Sequence, residues 1–139
     1  MINVLAAFTV IVLHHQGKYL LLQRAPTKKL FPNLWTGVGG KVEKDEMRDL
    51  RASAYRELLE ETGVAATDVQ NFVLRRVLFH ARDDLTALLY YTADLKTYVL
   101  PHCPEGTLRW VAPADFAQIE FIESAGAAIP LLALDHQRD

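Results

Sequence analysis

The sequence predicts a single α+β domain in which a mixed sheet is sandwiched between helices. Three features predict it. Apolar, β-rich runs alternate with two stretches of helical spacing, in the order strands, helix, strands, helix. Half of the 139 residues are hydrophobic and 23% are charged, enough for a core and too apolar for general disorder. No repeat, low-complexity tract or Pro/Gly/Ser linker divides the chain, so residues 1–139 read as one domain.

The elements follow in order. Val4 to Leu13 and Tyr19 to Arg24 read as two strands joined by the Gly-containing turn His14-His15-Gln16-Gly17. Ala25 to Leu34 carries two prolines and two lysines and reads as a surface loop, and Trp35 to Val42 as a Gly-rich extended stretch. Helical spacing runs from Asp49 to Thr62, with Ala52, Tyr55, Leu58 and Leu59 as the apolar stripe. Asp49 suits an N-cap or a first-turn acid, Gly63 the left-handed residue after the last turn, and Val64 the hydrophobic contact that closes it. Phe72 to His80 and Leu85 to Asp94 predict a long hairpin turning through Arg82-Asp83-Asp84. Leu108 to Val111 is a short strand, Pro113-Ala114-Asp115-Phe116 resembles a helix start, and Ser124 to Leu134 is a second helical stretch.

Charge excludes several classes. Fifteen Lys+Arg against 17 Asp+Glu leave a net charge of −2, too near neutral to grip duplex nucleic acid or a membrane surface. Cys103 is the only cysteine, so no disulfide framework or thiol zinc cluster is expected, and it reads as an unreactive loop thiol. The five histidines show no metal-binding spacing, and His14 and His15 should point to opposite faces of their strand. The apolar run Val4 to Leu13 is too short to span a bilayer, follows no basic residue and precedes no cleavage site. A soluble, cytoplasmic protein is the expectation. The N-terminal strand and the Phe72 to Asp94 hairpin are the segments expected to offer an edge to a homodimer.

The chemistry concentrates in Arg56-Glu57-Leu58-Leu59-Glu60-Glu61-Thr62-Gly63-Val64. On a helix, Glu57, Glu60 and Glu61 fall at i, i+3 and i+4 and share one face, where close like charges cost about 0.2–0.5 kcal/mol per pair. The residues four places after Glu60 and Glu61 are Val64 and Ala65, so only Arg56 can offset the charge, by reaching Glu60. A hard divalent cation is the natural compensation, since Mg²⁺ takes oxygen ligands from a few carboxylates plus substrate phosphates. A solvated acidic face is the other reading of the helix taken alone.

With Gly39-Gly40-Lys41-Val42-Glu43 upstream, this stretch resembles the Nudix box, G-x5-E-x7-R-E-U-x-E-E-x-G-U with U bulky and aliphatic. Arg56, Glu57, Leu58, Glu60, Glu61, Gly63 and Val64 match its second half. Gly40 and Glu46 keep their spacing, but nine residues rather than seven separate Glu46 from Arg56, and counting back from Arg56 places Arg48 at the first Glu. A loop longer by two residues accounts for this and leaves Glu46 without an assigned role. The Leu20-Leu21-Leu22-Gln23-Arg24 strand, Trp35 and Arg109-Trp110-Val111 extend the resemblance to nearly the whole chain.

The resemblance implies a Nudix-type α/β/α sandwich with a catalytic strand–loop–helix and Mg²⁺-dependent cleavage of a nucleoside diphosphate linked to another moiety. Mn²⁺ is the alternative metal, since oxygen ligands suit both. The leading substrate is a (d)NTP, oxidised purines included, giving monophosphate and pyrophosphate. ADP-ribose, dinucleoside polyphosphates and a non-catalytic nucleotide-binding module are the alternatives. Glu57, Glu60 and Glu61 would hold the metal, joined by the backbone carbonyl of Gly39, where glycine lets the main chain approach. Arg56 would orient the glutamates. Glu60 or Glu61 would act as metal-held base or water orienter, with Glu105 as the loop alternative or else a loop Glu without a role. Arg24 and Lys41 are candidate phosphate contacts. Trp35 is a candidate for stacking on a base or a packing plug, Phe31 a candidate lid. Thr36 replaces the Asn that reads the base edge in the oxidised-purine branch, and only Glu123 could serve for that branch's acidic pair. Both departures weaken oxidised-guanine selectivity.

Overall fold

The N-terminal apolar run forms β1 (Val4–His15) and takes the centre of a seven-stranded mixed sheet. The computed structural model describes residues 4–81, 85–98 and 101–139. Ile11, Val12 and Leu13 are all fully buried, as a strand covered on both faces requires, which is why β1 reads as a continuous apolar run without alternation. A two-residue turn at Gln16 and Gly17, both at positive φ, leads into β2 (Lys18–Arg24). Then come β3 (Trp35–Thr36), β4 (Val38–Lys41), α1 (Leu50–Thr62), β5 (Val69–Ala81), β6 (Leu85–Leu95), β7 (Gly106–Val111) and α2 (Glu123–Gln137). The strand order is β3-β2-β1-β6-β5, with β4 pairing β1 and β7 pairing β2. Only β1 and β6 run parallel; every other pair is antiparallel.

Alternation along the strands splits the core in two. Ile11, Leu13, Leu20 and Leu22 face Ala54 and Leu58 of α1. Val12, Tyr19 and Leu21 face Ala125, Ala128, Ile129, Leu132 and Ala133 of α2. The result is the expected α/β/α sandwich. No helix among the described residues is long and apolar enough to cross a membrane.

Both ends of α1 form as its sequence dictates. Asp49 accepts a hydrogen bond from the Ala52 N–H at 3.1 Å, and Gly63, at φ 77°, donates to the Leu59 carbonyl at 2.8 Å. The buried face differs from the expected stripe. It consists of Ser53, Ala54, Glu57, Leu58 and Thr62, while Ala52 and Leu59 are exposed and Tyr55 is half-buried against Phe72. Small Ser53 and Ala54 let the helix sit close to the sheet, and this rotation carries Glu57 inward.

Three further expectations change. The segment Pro113–Gln118 is a 3₁₀ turn ahead of the helix, and α2 begins at Glu123. β5 starts at Val69, and the predicted turn Arg82-Asp83-Asp84 lies outside the described residues. β1 cannot offer a dimer edge, because it is paired on both sides. The free edge on that side of the sheet is β5, which is bulged, holds Asn71 at φ 54° and exposes Val73, Leu74, Val77 and Phe79.

Gly39 crosses β1 at φ 150°, where an added Cβ would lie 2.0 Å from the Thr9 carbonyl oxygen. Thr9 pairs with Gly40 and Val10 with Gly39 in the same register. Gly39→Ala is therefore expected to cost about 3 kcal/mol or more, read as a lower urea midpoint. Wild-type stability in that variant would contradict the register.

Candidate active site

The site is built where β4 passes over the first turns of α1. A Cβ at Gly40 would lie 2.5 Å from Oε2 of Glu57, so the absence of a side chain at Gly40 is what lets the Glu57 carboxylate tuck beneath the strand. The Arg56 guanidinium fans across the surrounding oxygens. Nε and Nη2 donate to the two oxygens of Glu46 at 2.7 and 2.8 Å, and Nη1 donates to Glu60 Oε2 at 2.9 Å. Nη2 also reaches Glu57 Oε1 at 3.2 Å and the Lys41 carbonyl at 3.3 Å.

Glu46 thus has a partner, contrary to the expectation from the lengthened loop. It ends a 3₁₀ turn (Lys44–Glu46) whose carbonyl accepts from the Asp49 N–H at 2.9 Å, and Met47 and Arg48 bulge outward as the two extra residues. The insertion is absorbed at the surface, and the carboxylate still meets the guanidinium in a two-pronged pair.

Charge is unevenly shared. Burial pushes the Glu57 carboxyl above its usual range; Arg56 opposes this, and Glu60 and Glu61 add to it. The Arg56 hydrogen bond holds Glu46 down to about 2. Glu61 faces the other way and accepts from the buried Cys103 Sγ–H at 3.3 Å, and burial together with Glu61 pushes that thiol up to about 12. Glu57 and Glu60 share the Arg56 guanidinium while Glu61 is turned to Cys103, so the three carboxylates supply the oxygen donors a hard divalent cation takes without their ligand atoms converging to within 4.8 Å of one another.

The other expected residues divide into groups. Lys41 is exposed at the end of β4, beside the arc. Arg24 ends β2, and its Nε donates to the Leu30 carbonyl at 2.9 Å. Glu105 forms an ion pair with Lys28, and the Glu105 carbonyl accepts from the Ala25 N–H. Gly39 is required by its approach to Thr9, a reason unrelated to a ligand. Trp35 is only 6% exposed, so its ring is committed to the α2-side core, with the Arg109 guanidinium 5.7 Å from its centroid. Its backbone bonds to Glu120 and Ile122 bring exposed Glu123 to the same end of the sheet as half-buried Thr36. Phe31 is half exposed in its loop, at φ 53°.

One cluster escapes sequence reasoning. His14, Asp94 and His136 bring ligand atoms within 4.8 Å of one another at the far end of β1. His14 Nδ1 lies 3.2 Å and His136 Nε2 2.7 Å from Asp94 Oδ1, and Asn71 donates to Oδ2 at 2.8 Å. The Gly17 N–H donates to His14 Nε2 at 3.0 Å, which leaves the ring proton on Nδ1, directed at Asp94. The trio is a hydrogen-bonded clamp between sheet and α2, and the second His136 nitrogen, Nδ1, lies 2.8 Å from the Tyr19 hydroxyl. His15 does point to the opposite face, toward Tyr98 and Trp110.

The clamp has a pH signature. Burial and His136 hold His14 below the usual imidazole value. Burial of Asp94 works the other way, but its bonds from Asn71 and His136 prevail and hold it low. Groups depressed in the folded state contribute stability that is present above their unfolded values and lost as pH falls. The melting temperature is therefore expected to decline as pH drops below about 6.5, and His14→Gln to flatten that decline. An identical decline in the variant would contradict the clamp.

Comparison with known proteins places these features in a family. The model of the NUDIX domain matches residues 4–135, so the chain belongs to the NUDIX family. Among curated relatives, the isopentenyl-diphosphate Delta-isomerase of Nocardia farcinica is 35% identical over 117 residues, 78% of this chain and 64% of that protein. The m7GpppN-mRNA hydrolase NUDT17 of Danio rerio is 51% identical over 47 residues, 34% of this chain and 15% of that protein. The chain spans less than two-thirds of the length of the curated relatives it matches. Its fold is that of the E. coli dihydroneopterin triphosphate pyrophosphohydrolase, with a TM-score of 0.72 over 96% of this chain and 99% of that one at 18% identity.

Proposed function

We propose that this chain hydrolyses phosphoanhydride bonds with a divalent metal, and that its leading substrate is a nucleoside triphosphate split to monophosphate and pyrophosphate. The observation that carries this is the helix face of Glu57, Glu60 and Glu61, in which Arg56 holds Glu57 and Glu60 and Gly40 leaves room for the Glu57 carboxylate beneath β4. Such a cleavage needs water placed in line with a phosphorus ringed by anionic oxygens, and the protein's means are positioning and charge neutralisation. Glu57, Glu60 and Glu61 are the residues that would hold Mg²⁺ or Mn²⁺, which when bound screens phosphate charge and acidifies water.

The chain's own groups divide the remaining work. Arg56, with Glu46 behind it, fixes the Glu57 and Glu60 carboxylates. Glu60 shares its carboxylate with a guanidinium, whereas Glu61, among the described residues, meets a neutral thiol. Glu61 is accordingly the group we assign to take the proton from water. Lys41 and Arg24 stand as phosphate contacts. Thr36 and Glu123, at the same end of the sheet, are the residues we assign to read a base, and Thr36 lacks the paired donor and acceptor of an amide, which argues against strict oxidised-guanine selection.

A second reading rests on the isomerase relatives. Shifting a double bond in an isoprenoid diphosphate moves a proton between carbons and needs an acid and a base on either side of the double bond. Here the thiol nearest the arc donates to Glu61 instead of standing across from it, which favours hydrolysis. The test is a panel of canonical and oxidised (d)NTPs, ADP-ribose, dinucleoside polyphosphates and isopentenyl diphosphate with Mg²⁺, with phosphate products followed by chromatography and carbon shifts by NMR. Pyrophosphate release from a nucleotide is expected. Isomerised isopentenyl diphosphate with intact nucleotides would overturn the proposal, and binding without any product would mark a non-catalytic module.

A further inference from the structure

The loop between β2 and β3 and the segment leading into β7 are laced together beside the carboxylate arc. The Ala25 N–H donates to the Glu105 carbonyl and the Lys28 N–H to the Ala25 carbonyl, each at 3.2 Å. The Lys28 ammonium then closes an ion pair with the Glu105 carboxylate, with the two side chains 32% and 40% exposed. Two residues before Glu105, Cys103 is buried with its thiol on Glu61. Because Glu105 follows Cys103 by two residues and the Cys103 thiol lies 3.3 Å from Glu61, the ion pair stands at the Glu61 end of the arc.

Of the other cations near the arc, the exposed Lys41 stands at the β4 end, and two are already engaged by side-chain hydrogen bonds. Arg56 serves Glu46, Glu57, Glu60 and the Lys41 carbonyl, and Arg24 is tied to the Leu30 carbonyl. Among the described residues the Lys28 ammonium pairs with Glu105, and a half-exposed pair of that kind is weakly held. A polyphosphate in the arc offers the ammonium several charged oxygens at once.

We propose that Lys28 is a phosphate-binding residue and Glu105 its gate: polyphosphate draws the ammonium off Glu105, so the carboxylate opposes substrate binding until it is displaced. This rests on the reading of the site as one for phosphoanhydrides, and it assigns Glu105 a role other than general base. It also reverses the sign ordinarily expected when a site residue is removed. Glu105→Gln frees Lys28 and tightens binding, whereas Lys28→Met weakens it.

The experiment is calorimetric titration of inorganic tripolyphosphate with Mg²⁺ into the wild type, Glu105→Gln, Lys28→Met, Lys28→Arg and the Lys28→Met/Glu105→Gln double variant. Each fold is checked by circular dichroism. Glu105→Gln is expected to bind about 2- to 5-fold tighter than wild type. Lys28→Met should bind about tenfold weaker, and Lys28→Arg close to wild type. In the double variant, the gain from Glu105→Gln should vanish, since Glu105 acts only through Lys28. An unchanged Kd in Lys28→Met, or a Glu105→Gln gain that persists without Lys28, overturns the proposal. So does a Glu105→Gln variant with unaltered Kd and a hundredfold loss of kcat, which would make Glu105 the base. Failure of the hydrolase reading is separable. The expected order of Kd values with no substrate turned over upholds the phosphate gate alone, and glutamate-dependent turnover with Lys28-independent Kd values sinks the gate alone.

Discussion

Glu61→Gln is expected to lower kcat by a factor of about 10³ while leaving the fold and melting temperature close to wild type. The substitution keeps the shape and one oxygen but removes the negative charge, so it tests charge and proton transfer apart from packing. Glu61 lies partly exposed on α1 and touches Cys103 through one carboxylate oxygen, so Gln can keep that contact. The loss should sit in kcat, with a smaller change in KM, because Lys41 would still meet the phosphates and Glu57 and Glu60 would still be present to hold the metal. Steady-state kinetics on the best substrate of the panel measures it. A change below tenfold would remove Glu61 from the proposed chemistry and leave Glu60 to take the proton.

The second large effect is expected at Arg56. Arg56→Ala deprives Glu46 of both its guanidinium donors, leaving it the Glu43 N–H, and leaves Glu57 and Glu60 without their shared cation. A fall in kcat/KM of about 10- to 100-fold follows, the usual consequence of losing a group that orients metal-binding side chains. Stability should fall as well, since Glu57 is buried and already disfavoured as an anion. Arg56→Lys should recover little, because one ammonium cannot span both oxygens of Glu46 and reach Glu60 at the same time. Glu46→Gln should weaken activity through the same chain of contacts, and less than Arg56→Ala. Full activity in Arg56→Lys would show that charge alone suffices and that the fan of hydrogen bonds has no part.

The parts of this arrangement legible in the sequence are those governed by local periodicity. Helical spacing puts Glu57, Glu60 and Glu61 on one face whatever the tertiary structure, and Asp49 and Gly63 mark the helix ends through their own backbone chemistry. Which face of α1 turns inward was not legible. Leu59 outranks Ser53 in hydrophobicity, yet close approach of the helix to the sheet favours the small residue and drives Glu57 under β4. Glu46 was lost for a different reason. A count along the chain treats two extra residues as a shift in register, whereas a surface loop can bulge at Met47 and Arg48 and leave both ends in place.

Long-range register was invisible altogether. His14 meets Asp94 because β1 and β6 pair in parallel, and His136 joins them from the last turn of α2, which no spacing rule links. The ion pair of Lys28 with Glu105 likewise depends on β2 pairing β7 so that the loops at their ends meet. The central placement of β1, which removes it as a dimer edge, is a property of strand order rather than of its apolar composition.

The most direct test of the carboxylate arc as the metal centre is Mn²⁺ binding followed by electron paramagnetic resonance at neutral pH. The proteins to compare are the wild type, a Glu57→Gln/Glu60→Gln/Glu61→Gln variant and a His14→Gln/His136→Gln variant. Mn²⁺ should bind the wild type and the histidine variant alike and be lost from the glutamate variant. Retention by the glutamate variant, with loss from the histidine variant, would move the metal to the far end of β1 and contradict the proposed active site.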